Sequence, residues 1–576
     1  MDDLAALPAS ALYRRCDLSS AGFATTAELQ PCATGIEQAR AEAAIRFGIG
    51  MPQAGYHLFV VGQDGVGRQR MLQRVLTEVA AKAPSPPDRC YVLNFTAPHR
   101  PNALELPAGR GRGLAQAMQA LIRDLRAAIP AAFESDAYRA RAQEIEAELT
   151  ERQSEAIAEI ANKAGQQGIA LLRTPAGFGF AQKNGDGVLA PEQFAALPEA
   201  ERQRLEAAIG ALQEELAAAL RKLPKWHSVA QQAMRDLNRD VVRSSVAGLI
   251  DGVQHEFRDL PEVLAYLEQV EEDLLDHGEL FRPSRPGEGG PPAELVQAAL
   301  RRYEVNVLVA NAPERGAPVV HEDHPTHGNL LGRIEHQAQM GALLTDFSLL
   351  RAGALHRANG GYLVIDALRL LQQPFAWEAL KRALRSGELR MEAPGQAYGL
   401  VSTVSLEPEP IPLALKVVLV GERQLYYALA GWDAEFRALF TVLCDFDDEL
   451  VRDTSSERAL AAVVAAMQRE QGLRPFDRAA VERVVEAQAR SAGERDRLSA
   501  NLRALAELLR EADYWAGVAA ADVVQLGHVT RALDARIERA DRLHQRRRDD
   551  ITRGGLLIAT GGARVGQVNA LSVWQL

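Results

Sequence analysis

The sequence predicts an α/β plus all-α fold, in which an α/β core is interrupted by a long helical insertion and followed by a helical C-terminal domain. The apolar run 362–365 follows two glycines and ends in Asp366, as a buried parallel strand does when it carries a carboxylate at its C-terminal edge. Residues 57–61, His-Leu-Phe-Val-Val, read as a buried strand that leads into a glycine-rich loop and then a helical pattern. Two stretches, 121–285 and 455–543, combine helix-forming residues with apolar spacing near 3.6.

The glycine-rich loop after the first strand is one candidate site. Glycines let backbone N–H groups turn inward and cradle phosphates at a helix N-terminus, as in a P-loop. Its candidate nucleotide-binding residues are Gly62, Asp64, Gly65, Val66, Gly67, Arg68 and Gln69. Arg68 stands in place of the usual Lys, whose point charge a planar guanidinium does not reproduce, and Gln69 lacks the hydroxyl that ligates Mg²⁺. The loop is therefore either a phosphate-binding loop of reduced competence or a glycine turn that binds nothing.

Asp366 is the other candidate, because open α/β sheets carry their ligand chemistry at the carboxyl ends of the strands. An aspartate at this place can hold Mg²⁺ against nucleotide phosphates, which is the Walker B role. The sequence therefore predicts a nucleotide site in which Asp366 is the metal ligand.

Composition limits the class of protein. A chain of 576 residues is too long for one core and suggests about three or four domains. The net charge of −11 argues mildly against a general nucleic-acid binder. Four scattered cysteines without CxxC spacing predict buried thiols in a reducing compartment. Since the N-terminus lacks a signal peptide and no run of about 18 apolar residues occurs, we expect a cytoplasmic protein without a membrane partner.

The stretch 121–285 is predicted to form a pair of long helices with a small β-hairpin at their tip. Residues 140–152 and 201–223 place apolar residues at i, i+3 and i+4 with opposite charges interleaved, as long helical hairpins do. Between them, residues 184–187 read Asn-Gly-Asp-Gly and predict a tight hairpin turn. The insertion is either an arm that engages substrate proteins or neighbouring subunits, or a purely structural element.

Three segments resemble the Lon-related branch of ATP-dependent serine proteases, whose ATPase module carries a large helical insertion. Residues 356–361 read His-Arg-Ala-Asn-Gly-Gly directly before the strand that ends in Asp366. Residues 329–335 read Asn-Leu-Leu-Gly-Arg-Ile-Glu, and residues 566–573, Gly-Gln-Val-Asn-Ala-Leu-Ser-Val, are similar to the opening of the Lon peptidase domain. The resemblance extends from about residue 30 to the end of the chain and implies an AAA+ core with a helical lid domain.

The resemblance implies ATP and Mg²⁺ as cofactors, a homo-oligomeric ring of hexameric type, and protein substrates. In the family, ATP drives unfolding and threading, and a Ser-Lys dyad then cuts peptide bonds with Lys as the general base. No catalytic residue of that dyad is expected in this chain, because its positions fall beyond Leu576. We therefore expect a truncation at the start of the peptidase domain.

The resemblance also gives roles to single residues. Arg437 is the candidate arginine finger for the nucleotide of a neighbouring subunit, with a surface ion pair as the alternative. Arg503 is the sensor candidate in the lid domain, displaced from the family position, which falls at Asn501. Phe347 is the candidate pore residue that grips polypeptide, with core packing as the alternative.

Several positions depart from a competent ATPase. Besides the loop and Asn501, Ala367 stands where Lon ATPases have the Glu that polarises water, and residues 421–423 lack the sensor Asn. The leading interpretation is the ATPase and substrate-engaging part of a Lon-related endopeptidase, with weak or no ATPase activity and no proteolysis by these residues alone. The alternatives are a nucleotide-sensing scaffold without turnover and an AAA+ remodeller of nucleic acid.

Composition shifts and the resemblance together predict five units. They are an N-terminal segment with the first part of the AAA+ core at 1–120, the helical insertion at 121–285, the second part of the core at 286–450, the lid at 451–548, and the start of a truncated peptidase domain at 549–576.

Overall fold

The structure is a computed structural model that describes residues 13–30, 38–174, 177–184, 187–189, 198–281, 296, 299–339, 342–392, 406–555, 561–563 and 565. Among the sequence predictions, the peptidase-like segment 566–573 lies outside these residues, as does the centre of the turn at 184–187.

The helices of the described residues, in chain order, are α1 Ala39–Gly50, α2 Arg68–Ala80, α3 Arg110–Glu134, α4 Asp136–Gln166, α5 Glu199–Leu220, α6 Leu223–Glu256, α7 Pro261–His277, α8 His327–Leu331, α9 Ala354–Arg357, α10 Ala367–Leu371, α11 Ala376–Ser386, α12 Arg423–Trp432, α13 Ala434–Leu439, α14 Thr454–Glu470, α15 Arg478–Ala492, α16 Leu502–Val518, α17 Leu526–Ala540 and α18 Arg542–Thr552.

The strands of the described residues are β1 Leu58–Val61, β2 Asp88–Val92, β3 Asn102–Leu106, β4 Ile169–Thr174, β5 Gly177–Asn184, β6 Gly187–Val188, β7 Asn306–Val309, β8 Val319–Glu322, β9 Arg333–Ile334, β10 Gln337–Gln339, β11 Ala342–Leu344, β12 Leu350–Arg351, β13 Tyr362–Asp366, β14 Glu388–Leu389, β15 Ile411–Pro412, β16 Lys416–Gly421, β17 Val442–Asp445, β18 Glu449–Val451 and β19 Arg497–Ser499.

A parallel sheet with the strand order β17-β1-β16-β13-β8 forms the centre of the core. The strands predicted at 57–61 and 362–365 are β1 and β13, and β16 lies between them. Because parallel strands share one carboxyl edge, the loop after β1 lies at the same edge as Asp366 and Gly421, the last residues of β13 and β16. The topology thus brings the two candidate sites together.

Both faces of this sheet are covered, which explains why its strands read as continuous apolar runs. Leu58 and Val60 of β1 belong to a buried cluster that continues through α1 and α2 into the C-terminal helices α14 to α17, the lid. Phe59 and Val61 point to the opposite face and belong to a second cluster, with α10 and α11. The lid therefore shares one hydrophobic core with the sheet.

The helical insertion has a sheet and a core of its own. Strands β3, β2 and β7 form an antiparallel sheet in that order, and α3, α6 and α7 contribute to the buried cluster on it. Helix α3 begins at Arg110, well before the predicted start of the insertion at residue 121, and β3 precedes it directly. The pairing of β2 with β7 joins residues more than 200 positions apart, which the local sequence pattern does not specify.

The predicted β-hairpin is present between α4 and α5, but it has three strands. β4 pairs with β5 along its whole length, from Ile169 with Gln182 to Thr174 with Gly177, and β5 pairs with β6 across the turn predicted at 184–187. A small cluster of Ala164, Ile169 and Leu212 anchors this sheet to the two helices.

The N-terminal segment packs on the lid. In this N-terminal strap, residues 13–29, Leu18 and Phe23 are buried in the cluster that the lid shares with the sheet. Thr26 N donates to Phe476 O at 2.9 Å, and Phe476 N donates to Thr26 Oγ1 at 2.9 Å. The strap is thus part of the lid core, and the chain then crosses to the sheet to form α1.

The predicted fold class is confirmed, since the described residues form an α/β core, a helical insertion with a small antiparallel sheet, and a helical C-terminal domain. Among these residues, no helix combines the length and the apolar character that a bilayer crossing requires.

His57 makes the stability of the core depend on pH. Its Nδ1 accepts a hydrogen bond from Val417 N at 3.2 Å, and burial, with Lys416 as a second cause, lowers the pKa of the ring to about 4. Because the folded pKa lies below the unfolded value of about 6.5, the unfolded chain binds the extra proton, and stability falls as the pH drops from 6.5 towards 4. His57→Asn keeps a hydrogen-bond acceptor but cannot titrate. We expect it to lower the slope of unfolding free energy against pH by the contribution of about one bound proton.

Urea titrations across that pH range measure this slope. His99→Asn is the matched control, because His99 is exposed and its replacement should leave the slope unchanged. An identical slope in wild type and His57→Asn would show that His57 is not the group that titrates.

Candidate nucleotide-binding site

The loop between β1 and α2 has the backbone of a phosphate cradle. Gly65 and Gly67 have φ angles of 94° and 87°, a region that side-chain-bearing residues rarely adopt, and Gly62 lies at the edge of that region at 153°. Gly67 is the N-cap of α2, which begins at Arg68. The loop therefore keeps the strand, loop and helix frame of a P-loop.

Arg68 reaches from this loop to the neighbouring strand β16. Its side chain is only 12% exposed, and Nη1 donates to Gly421 O at 2.5 Å. Burial lowers the pKa of the guanidinium, and the carboxylates of Asp64, Glu422, Asp366 and Asp448 oppose that shift. Arg68 thus binds the edge of its own sheet and lies among carboxylates.

Two charged side chains that the sequence interpretation did not assign to the site complete this edge. Asp448 Oδ1 accepts a hydrogen bond from Gln63 N, in the loop, at 3.1 Å. Arg423 Nε donates to Asp445 at 2.8 Å, and the same guanidinium also binds Asp448 and the carbonyl of Phe446. The acidic run 445–449 directly after a buried strand was the available sequence signal.

Asp366 is half-buried at the end of β13, where Oδ1 accepts from Arg369 N at 2.9 Å and caps α10. Ala367 is 1% exposed, and a Cβ added at Gly421 would lie 3.3 Å from the Ala367 Cβ. The side chain of Ala367 therefore faces the core, so a Glu introduced there would be buried.

The donor set does not fit a Mg²⁺ ion, which takes hydroxyl, carboxylate and phosphate oxygens in octahedral geometry. Gln69 is exposed and offers no hydroxyl, while Asp366 is engaged as a helix cap. No group of three His, Cys, Asp or Glu within the described ranges is arranged to hold a metal ion. The assignment of Asp366 as a Mg²⁺ ligand stays a prediction.

The start of α16 in the lid lies directly on the loop. Leu502 N and Arg503 N donate to Gly65 O at 2.9 and 3.3 Å, and Asn501 Nδ2 donates to Asp64 O at 3.3 Å. Arg503 Nη1 binds Asp64 Oδ2 at 2.9 Å. Arg503, the sensor candidate, and Asn501, the family position, therefore both contact the glycine-rich loop through Asp64.

The other two candidates lie away from the loop. Arg437 is exposed on α13, and its role as an arginine finger stays a prediction. Phe347 is 3% exposed in the core cluster that contains Leu308 and Leu363, and its carbonyl accepts from Asn306 Nδ2 at 2.7 Å. This burial favours core packing over the pore role for Phe347.

The parallel sheet, the glycine loop at its carboxyl edge and the helical lid on that loop define an AAA+ module. Three family models match the chain: "LonB-like, AAA domain" over residues 315–447, "Archaeal LonB, AAA+ ATPase LID domain" over 475–539, and "Lon-like LonC helical domain" over 88–121. Over these residues the chain is similar to Lon-related AAA+ proteins, as the sequence resemblance indicates.

Curated relatives agree with this assignment. The chain is 30% identical over 225 residues to the putative Lon protease homolog of Escherichia coli K12, covering 39% of this chain and 37% of the relative. It is 29% identical over 277 residues to the archaeal Lon protease of Archaeoglobus fulgidus, covering 46% and 43%. The aligned part of the chain thus spans less than half the length of these relatives.

Solved structures that match part of this chain include RuvB of Thermotoga maritima, a Holliday junction branch migration motor, and NtrX of Brucella abortus. RuvB matches with a TM-score of 0.23 and 13% identity over 43% of this chain and 59% of RuvB. NtrX matches with a TM-score of 0.26 and 14% identity over 55% of this chain and 65% of NtrX.

Proposed function

We propose that this chain is the nucleotide-binding and substrate-engaging part of a Lon-related assembly that unfolds and degrades proteins, and that its own P-loop binds ATP with little or no hydrolysis. The part of this proposal that concerns the P-loop rests on the hydrogen bond that Arg68 donates to Gly421 O. A guanidinium held there must leave its site before it can contact a phosphate, so phosphate binding competes with an existing interaction.

The groups that would activate water are also engaged or absent. Ala367 is buried where a polarising Glu would stand, and Arg423 follows β16 where a sensor Asn is expected. General-base or water-positioning groups make large contributions to phosphoryl transfer. Impaired turnover therefore follows from the residues at the edge of the sheet, whereas the glycine backbone still offers N–H groups to phosphates.

The assembly that we propose is a homo-oligomeric ring, of six subunits by resemblance, which acts on protein substrates in the cytoplasm. Peptide-bond cleavage would depend on a Ser-Lys dyad outside residues 1–576. Arg437 would face a neighbouring subunit. The helical insertion, with its own core and a small antiparallel sheet, suits an arm that engages substrates or neighbours.

The packing also supports a modified division of the chain. We propose that the insertion includes β2, β3 and β7, because these strands pair with one another and not with the parallel sheet. We propose that the strap at 13–29 belongs to the lid, whose core contains it. We keep the other predicted domain boundaries, including the start of the peptidase-like segment at residue 549.

Restoring the P-loop residues tests the proposal. In Arg68→Lys/Gln69→Thr, the Lys point charge and a hydroxyl should replace the guanidinium that binds Gly421, and we expect ATP affinity to rise at least about tenfold, or about 1.4 kcal/mol. Hydrolysis should stay low, because Ala367 remains. Titration of a fluorescent ATP analogue measures affinity, and phosphate release measures turnover.

Arg70→Lys is the matched control, since Arg70 lies exposed on the same helix and pairs with Glu470 in the lid. Brisk ATP hydrolysis by the wild-type chain would contradict the impaired-turnover proposal. Unchanged affinity in the double variant would indicate that the loop is a turn that binds no nucleotide.

A further inference from the structure

Asp64, in the glycine-rich loop, lies between the two cations that are candidates for binding the nucleotide. Its Oδ2 accepts a hydrogen bond from Arg503 Nη1 at 2.9 Å, across the boundary between the loop and the lid. Its Oδ1 lies 3.9 Å from Nη2 of Arg68, at the start of α2. Each oxygen of the carboxylate therefore faces one guanidinium. Arginine binds carboxylate and phosphate oxygens through the same N–H donors, so the Asp64 carboxylate meets these groups as a phosphate would.

The backbone around Asp64 is joined to the lid as well. Asn501 Nδ2 donates to Asp64 O at 3.3 Å. Leu502 N and Arg503 N donate to Gly65 O at 2.9 and 3.3 Å. A Cβ added at Gly65 would lie 2.3 Å from Asn501 Oδ1, which is too close for a side chain, so the approach of the lid requires glycine here. Protein groups alone therefore join the start of α16 to the loop, and Asp64 lies at that junction.

The ion pair at this junction is open to displacement. The side chains of Asp64 and Arg503 are 76% and 67% exposed, and pairs with such exposure contribute little to stability. Arg503 also meets a carboxylate on its own helix, since its Nε lies 3.5 Å from Glu507 Oε1. Binding of a terminal phosphate at Arg503 requires that the guanidinium leave Asp64, whose carboxylate then stays beside the site as a like charge. A nucleoside diphosphate lacks the group that competes with Asp64.

We propose that Asp64 is a built-in substitute for the terminal phosphate of ATP, and that its carboxylate makes the loop bind ATP less tightly relative to ADP. The same carboxylate binds Arg503, the sensor candidate, and so fastens the lid to the loop through protein groups. The proposal rests on the proposed function, which places a nucleotide at this loop. It deepens that function by naming the residue that decides between a triphosphate and a diphosphate.

Titration of the full chain with fluorescent ATP and ADP analogues tests the selectivity. Asp64→Asn keeps the size of the side chain and removes its charge. We expect ATP affinity to rise at least about fivefold, because the competing like charge is gone, and ADP affinity to change less than about twofold. In Asp64→Asn/Arg503→Gln the gain should vanish, since the guanidinium for the terminal phosphate is lost.

Glu507→Gln is the matched control for the titration. It removes the other carboxylate near Arg503 but leaves the loop intact, so its ratio of ATP to ADP affinity should equal that of wild type. An unchanged ratio in Asp64→Asn, or a gain that survives the loss of Arg503, would overturn the proposal.

Hydrogen exchange of the nucleotide-free chain tests whether Asp64 fastens the lid. The amides of Leu502 and Arg503 should exchange about two- to fivefold faster in Asp64→Asn, as expected for the loss of an exposed ion pair, and at the wild-type rate in Glu507→Gln. Equal exchange in wild type and Asp64→Asn would overturn the role of Asp64 at the lid. If no variant binds ATP or ADP, the proposed function fails and the selectivity proposal with it. Normal binding with an unchanged ratio overturns only the selectivity proposal.

Discussion

Arg452→Ala is expected to destabilise the chain by about 3–5 kcal/mol, the range for breaking a buried ion pair from one side. Arg452 Nε binds Glu457 Oε1 at 2.8 Å, and the two side chains are 2% and 6% exposed. Nη1 also donates to the carbonyl of Arg495 at 3.2 Å. Truncation would leave the carboxylate of Glu457 buried without its cation and a backbone carbonyl without its donor, at the point where β18 leads into α14.

Equilibrium urea unfolding measures the loss, and Arg70→Ala is the control. Arg70 pairs with Glu470 at 3.1 Å, but the two side chains are 67% and 55% exposed, so this pair should contribute about 0–1 kcal/mol. If Arg452→Ala lowers the free energy of unfolding by less than about 1 kcal/mol, the pair contributes no more than an exposed one and the prediction is contradicted. The double replacement Arg452→Met/Glu457→Leu should recover much of the stability, because hydrophobic residues of similar volume often replace a buried pair at little net cost.

The elements that the sequence predicts well are those whose pattern is local. The strands at 57–61 and 362–365 are apolar on both faces, so each could be placed to within a few residues. The common edge of the glycine loop and Asp366 followed from the parallel arrangement alone.

The features that the sequence did not reveal depend on contacts between distant residues. A side chain at the loop can point to a phosphate or to the neighbouring strand, and only the fold shows that Arg68 binds Gly421 O. The same holds for the strap at 13–29, which has no pattern that indicates its place on the lid. In the sequence Phe347 is an aromatic residue of a loop before the strand that ends in Asp366. Its burial depends on packing from β7 and β13, which the local sequence does not show.

Asp88→Ala is expected to cost about 2–6 kcal/mol, because the buried N–H of Gly111 and the part-buried N–H of Asn311 would lose their acceptor at about 1–3 kcal/mol each. Asp88 is fully buried at the start of β2, where Oδ2 accepts from Gly111 N at 2.8 Å and Oδ1 accepts from Asn311 N at 2.7 Å. One carboxylate thus joins the first turn of α3 to the segment that returns from the insertion. Urea unfolding, with hydrogen exchange at 110–114 and 311, measures the effect.

Asp259→Ala is the control for the same helix end. Asp259 pairs with Arg110 at 3.1 Å in an exposed position, so its loss should stay below about 1 kcal/mol. Equal losses in the two variants would mean that the charge at the helix end matters and the buried hydrogen bonds do not. Because Asp88 holds both ends of the insertion, its loss should appear first as faster exchange at Gly111 and Asn311. If exchange rises only there and the parallel sheet stays protected, the insertion unfolds as a unit separate from the core.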